Sequence, residues 1–321
     1  MLSIMRILRY VFLGMILLMS VLSFTSGPPA AYAQTNPSPP NANLVEVGIY
    51  VLNIGEFDLK SGTYTMDFYL SMQCVKPNCK LGSFEFMNGR AQSIRLEENS
   101  STSKFWRIQA NLYDNLNLQD YPFDSHTLSI RIEDTTLTEQ NLTYQVDPHG
   151  SGLDPSIVVV GWAIAGWTQT VVNHYYQVYN QTYSQYVFSV NLEREPAFGF
   201  EVFIPVFFLA FISLIGMLMY GKTSSVLENR VLLTASCLIA AVLFQFSLDT
   251  DVPPLGYLTF ADKFMIATYF IIISSLVIGV LELDCHHKKK EIRSQQIQYY
   301  ALRSMPVVAV AVYLLLFRLF L

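Results

Sequence analysis

Between residues 44 and 194 apolar and polar positions alternate in short runs, and after Pro196 the alternation gives way to long unbroken apolar stretches. Residues 45–52, 63–70 and 127–132 place an apolar side chain at every second position and are rich in β-branched and aromatic types, with Lys60-Ser61-Gly62 as a turn between the first two. A period of two marks a strand with one buried face. Residues 157–167 and 184–192 are further strand candidates. The pattern therefore predicts an antiparallel β-sandwich over 44–196, long enough to bury a core of its own.

The apolar stretches cover approximately 198–220, 231–248, 264–283 and 299–321, each near the ~20 residues with which a helix crosses a bilayer. The fourth is counted from Tyr299-Tyr300, because paired aromatics suit a membrane interface. Four such runs in succession predict a four-helix transmembrane domain over 197–321. Lys288, Lys289, Lys290, Arg293 and Arg303 follow the third run and Lys222 follows the first, which places those loops in the cytoplasm. The acidic, Pro-rich connector that starts at Asp249 then lies outside, on the side of the β domain. At the amino end, Arg6 and Arg9 precede an apolar run and Ala31-Tyr32-Ala33. That is the pattern of a secretory signal over 1–33, followed by a flexible Pro- and Asn-rich leader over 34–43. A multi-pass protein of the cell membrane is expected, its amino-terminal domain extracellular or periplasmic.

Composition agrees, since 52% of the residues are hydrophobic and only 14% charged, which excludes an ordinary soluble domain. The net charge of -5 and the short basic clusters argue against a nucleic-acid partner. Of the four cysteines, Cys74 and Cys79 fall in the exported part, where a disulfide between them is plausible chemistry. Cys237 and Cys285 read as packing residues. His126, His149, His174, His286 and His287 read as scattered or exposed, and nothing in the sequence pairs a nucleophile with a base, clusters metal ligands or cradles a phosphate. No enzyme, cofactor or metal is expected.

The second apolar run carries a finer pattern. Glu228, Leu232, Ser236, Ile239, Leu243, Phe246 and Thr250 recur at steps of four and three, so on a helix they form one stripe. Periodicity alone fits a packing seam as well as the lining of a pore.

Tyr121-Pro122-Phe123-Asp124, preceded by Leu116 and Leu118, resembles the signature loop of the pentameric ligand-gated ion channels, the Cys-loop receptor family, in its prokaryotic form. Asp114 and Leu128 stand where animal receptors carry the loop's two cysteines. Arg194, two residues before Pro196, matches the family's basic residue at the domain junction. Asn229-Arg230-Val231, Val252-Pro253-Pro254, Trp162 and Gly256-Tyr257 also fall at the family's spacing. The resemblance implies a homopentamer in membrane lipid that passes monovalent cations, with an ion pair between Asp124 and Arg194. It implies a pore lined by the stripe, with Glu228, Asp249 and Asp251 selecting cations. Ile239, Leu243 and Phe246 would be apolar rings that close by dewetting. Tyr121, Pro122, Phe123, Asp124, Arg194, Pro253 and Tyr257 would couple the β domain to the pore.

Tyr175, Tyr176, Tyr179 and Tyr183, with Tyr186 nearby, fall in the region of the family's ligand-capping loop, where they fit packing of a tyrosine-rich hairpin on its neighbour better than an aromatic cage for a cationic amine. Protons are a second candidate agonist, with Glu56, Asp58, Glu97 and Glu98 as exposed carboxylates. Gly62 and Ala241 differ from the Glu and His of an acid-activated relative, Leu232 is bulkier than usual, and the stretch from Leu70 to Tyr121 is short. A non-conducting β-sandwich sensor that signals through a partner is therefore the alternative reading.

Overall fold

The computed structural model describes residues 42–76, 79–219, 223–250 and 252–320. The expected signal segment, all but the last two residues of the leader, Lys222 and Asp251 lie outside the described residues. The described residues divide into two compact units: a β unit of residues 42–117 together with Phe123–Glu195, and a helical unit of Leu118–Pro122 together with the residues from Pro196 onward.

The β unit has ten strands: β1 (Asn43–Asp58), β2 (Thr63–Cys74), β3 (Phe84–Phe86), β4 (Gly89–Asn99), β5 (Ser103–Tyr113), β6 (Ser125–Asp134), β7 (Leu142–Val146), β8 (Gly152–Leu153), β9 (Trp162–Tyr176) and β10 (Gln181–Arg194). One sheet runs β4-β5-β2-β1-β7 with β8 also on β1, and the other runs β3-β6-β10-β9. The alternating residues meet between the sheets: Val45, Val47, Ile49 and Val51 of β1 and Phe68 and Leu70 of β2 are buried, as are Ile130 of β6 and Phe188 and Val190 of β10. Each contributes about 1.5–3 kcal/mol by leaving water.

Two expectations are corrected here. The sandwich is not antiparallel throughout, because β7 and β8 both pair parallel to β1. The chain reaches β7 from β6 in the opposite sheet, so no hairpin imposes an antiparallel return. Residues 157–160 are not strand: Asp154 accepts from the Ser156 and Ile157 N–H groups, at 2.9 Å through its side chain and 3.2 Å through its carbonyl. The resulting turn leaves Val158 and Val160 exposed, and the strand starts at Trp162. β4 escaped the sequence reading because it is exposed over most of its length and so shows no alternation.

The helical unit contains α1 (Pro196–Gly216), α2 (Ser224–Leu248), α3 (Phe260–His287) and α4 (Glu291–Phe320), all long and apolar enough to cross a membrane. α4 begins eight residues before Tyr299, because a helix continues through polar sequence beyond its apolar segment. Arg303 lies 3.8 Å over the Tyr299 ring within it. An aromatic cluster joins α1, α3 and α4: Phe203 and Phe207 lie 4.3 and 4.9 Å from Phe264, which stacks on Tyr313 at 5.0 Å. Buried hydroxyls add hydrogen bonds between helices, Thr268 with Tyr313 at 2.9 Å and Ser275 donating to the Ser213 carbonyl at 3.2 Å.

Candidate functional site

α2 presents two stripes of opposite character. Leu227, Arg230, Thr234, Cys237 and Ala241 are buried at steps of three and four, against α1 and α3. Glu228, Leu232, Ser236, Ile239, Leu243, Phe246 and Thr250 are all exposed in the single chain. Leu232, Ile239, Leu243 and Phe246 keep 66%, 63%, 63% and 64% of their surface, so among the described residues none covers that face. Ser236 returns its hydroxyl to the Leu232 carbonyl at 2.9 Å. Tyr269 of α3 fixes the far end of the buried face by donating to Gln245 Oε1 at 2.6 Å. Thr250 lies beyond the last helical residue and donates to the Ser247 carbonyl at 2.6 Å. At the opposite end, Glu228 Oε1 stands 4.0 Å from His287 Nε2 of α3.

The beginning of α3 is held by the five-residue segment Leu118–Pro122. A helix start leaves backbone N–H groups without intrahelical acceptors. Here Phe260 N–H donates to the Gln119 carbonyl at 2.8 Å and Ala261 N–H to the Tyr121 carbonyl at 3.0 Å. Asp262 N–H donates to Thr259 Oγ1 at 3.1 Å and Thr259 N–H to Asp262 Oδ2 at 2.9 Å, a complete capping box. Tyr257 Oη accepts from Leu118 N–H at 3.0 Å. Pro253 precedes it in the irregular connector after α2. The Tyr121–Pro122 peptide is cis.

Within the β unit, Arg194 Nε lies 2.7 Å from Asp124 Oδ1, with both side chains buried. The guanidinium also stands 4.2 Å over the Trp162 ring. His126, expected to be scattered or exposed, is instead buried, with Nε2 2.6 Å from Asp124 Oδ2. Strand alternation turns it inward, as the adjacent Leu128 and Ile130 are. Burial alone would push the Asp124 carboxyl up, but the His126 and Arg194 hydrogen bonds and the guanidinium charge bring it below the usual carboxylate range. Phe123, between Pro122 and Asp124, is partly buried.

Asp114 closes the loop where cysteine is absent. Its Oδ2 accepts from Tyr64 Oη at 2.7 Å and from Ser129 N–H at 2.9 Å, and its Oδ1 from Arg131 Nη2 at 2.6 Å. Ser129 follows Leu128 directly, so these bonds span the ends of the signature loop. Cys74 and Cys79 are joined by a disulfide with a Cα–Cα distance of 5.7 Å.

The tyrosines divide by position. Tyr175 and Tyr179 are exposed on the β9–β10 hairpin, Tyr176 and Tyr183 meet edge to face at 5.6 Å, and Tyr186 is fully buried in the core. Tyr186 therefore cannot line an exposed cage. Beneath them, Glu133 lies 2.5 Å from His174 Nδ1 and accepts from Gln185 Nε2 at 2.6 Å and Tyr176 Oη at 3.0 Å. This buried carboxylate escaped the sequence reading, where it stood at the end of a strand with no motif to mark it.

No family model matches the chain. It is similar to the proton-gated ion channel of Gloeobacter violaceus, at 23% identity over 299 residues that cover 84% of this chain and 80% of that channel. With four apolar helices following a β-rich domain, the homologue makes this a multi-pass membrane protein with an extracellular amino-terminal domain and bears out its resemblance to the pentameric ligand-gated ion channels.

Proposed function

We propose that the chain is one subunit of a homopentameric, cation-selective channel that extracellular protons open. The observation that carries this reading is the uncovered apolar face of α2, since a helix that packs one face on its own bundle and leaves a second apolar face bare is incomplete as a single chain. Five copies around an axis would turn each exposed position into a ring. Glu228 would form a carboxylate ring at the cytoplasmic mouth, Asp249 and Asp251 would add negative potential outside, and both would enrich cations. Ile239, Leu243 and Phe246 would form the apolar gate. Proton activation is supported by the proton-gated relative and by the exposed Glu56, Glu97 and Glu98, whereas hydrogen bonds from Ser61 and Lys60 hold the Asp58 carboxyl below the usual carboxylate range.

Coupling would run through Tyr121, Pro122, Phe123, Asp124 and Arg194 to Pro253 and Tyr257. The carbonyls of Gln119 and Tyr121 hold the first turn of α3, so a displacement of that segment would act directly on the helix packed behind the pore. Tyr175, Tyr176, Tyr179 and Tyr183 would modulate opening from the hairpin.

The test is current through the purified protein in planar bilayers under a sodium chloride gradient, with external pH stepped and wild type compared with Ile239→Ala. Acid should evoke a current that reverses near the sodium equilibrium potential, and the variant should open at higher pH, because a smaller side chain lowers the dewetting barrier. Silence from both, in protein shown to be folded and pentameric, would transfer the reading to a non-conducting sensor.

A further inference from the structure

Arg230 and Glu282 form a buried ion pair in the helical unit. Arg230 Nη1 of α2 lies 2.5 Å from Glu282 Oε2 of α3, and each side chain is 1% exposed. Arg230 Nε and Nη2 and Glu282 Oε1 have no hydrogen-bond partner among the described residues. One hydrogen bond and one opposite charge therefore carry the whole pairing. Gly279 provides the close approach of the two helices, since a Cβ there would stand 3.2 Å from Val231 Cγ2.

The position of the pair relative to Glu228 gives it a role. Two residues along α2 correspond to a rotation of about 200° and a rise of about 3 Å, so Arg230 sits at the height of Glu228 on the opposite side of the helix. A helix with its side chains is about 10–12 Å across, close to the screening length at physiological salt. An uncompensated guanidinium at Arg230 would therefore reach the mouth that Glu228 makes negative, and less screened than a surface charge because the path crosses buried protein. Formally, Glu228, Arg230 and Glu282 contribute -1, +1 and -1, so each subunit carries -1 at this level, and 0 if Glu282 is neutral. Of the charges nearby, Lys288 is paired with Asp284 at 2.8 Å and His287 faces Glu228 itself, and Lys289, Lys290 and Arg293 are the same in every variant compared below.

We infer that Glu282 is a specificity-determining residue for permeation: it cancels Arg230 behind the Glu228 ring and thereby keeps the cytoplasmic mouth selective for cations. This rests on the reading of α2 as the pore helix.

Reversal potentials in asymmetric sodium chloride, measured on wild type, Glu228→Gln, Glu282→Gln and the double variant Arg230→Gln/Glu282→Gln, test it. Glu282→Gln should lower the sodium-to-chloride permeability ratio by about tenfold, the low end of what focused charge does to local ion concentration. The double variant, which again carries -1, should recover most of the wild-type ratio. A wild-type ratio in Glu282→Gln, or a double variant as shifted as the single one, overturns the inference. Should Glu282→Gln fail to assemble, Arg230→Gln decides: its unopposed Glu282 must hold or raise the ratio, and a fall overturns the inference. An anion-selective wild type, or no effect of Glu228→Gln, would instead remove the pore reading on which it rests.

Discussion

Asp124 shows how one buried side chain sets its own response to pH. Its carboxyl lies below the usual carboxylate range in the folded protein, through His126 and Arg194 acting against burial. A group with a depressed folded pKa stabilises the fold above its unfolded pKa of about 3.9 and loses that contribution as pH falls through the folded value. The stability difference between wild type and Asp124→Asn should thus be flat from pH 8 to 5 and shrink below about pH 4, as chemical denaturation across that range would read. Asp124 would then stay ionised where acid sensing is expected, and a difference that collapsed between pH 7 and 5 would contradict this. Removing Arg194 takes the guanidinium charge from a buried carboxylate that keeps its His126 hydrogen bond, so Arg194→Ala should cost about 3 kcal/mol in the same assay. Asp114→Ala removes the Asp114 hydrogen bonds but leaves Tyr64 Oη the Ser129 carbonyl and Ser129 N–H the Tyr64 oxygen as acceptors, and should cost about 0.5–1.5 kcal/mol. Asp124 and Arg194 were legible from the sequence as neighbours of a motif. Glu133 was not, because its partners come from strands that only the sheet brings together, and His126, two residues from Asp124, was not, because its burial is decided by the packing of the sheets.

At the level of elements, α2 carries its two faces in its spacing, but spacing alone could not distinguish the covered face from the bare one. Arg230 falls on the covered face because Glu282 offers it a counter-charge there. That residue was visible as an acid inside an apolar run, the one signal by which the pair could have been suspected. α3 likewise starts four residues before its apolar run, at the Thr259–Asp262 capping box. Losing that box should destabilise the helix by about 1 kcal/mol. Because Leu118–Pro122 holds the same turn, Thr259→Ala and Tyr257→Phe should both shift the pH of half-maximal current in bilayer recordings while the reversal potential keeps its wild-type value. A changed reversal potential would place these residues in the conduction path.

At the scale of the whole molecule, a single copy leaves an apolar stripe bare between a carboxylate at one end and acidic residues at the other. Repeated copies that each offer one side of their surface to the next form head-to-tail contacts, and such contacts close into a ring when the rotation allows. Particles of the purified protein in detergent should therefore show fivefold symmetry in averaged electron micrographs. A monomer, or a ring of another order, would contradict the proposed assembly.

The sequence by itself determined the order of the two units, the four apolar helices and the period of the α2 stripe. These are properties of neighbouring residues, and hydrophobic periodicity records them directly. The family resemblance was legible too, because it rests on short motifs at fixed spacing. Only the tertiary structure decided the parallel pairing of β1 with β7 and β8, the burial of His126 and Glu133, the Arg230–Glu282 pair and the hold of Gln119 and Tyr121 on the start of α3. Each joins residues distant along the chain, and their energies come from mutual desolvation and hydrogen bonding that exist only once the partners have met.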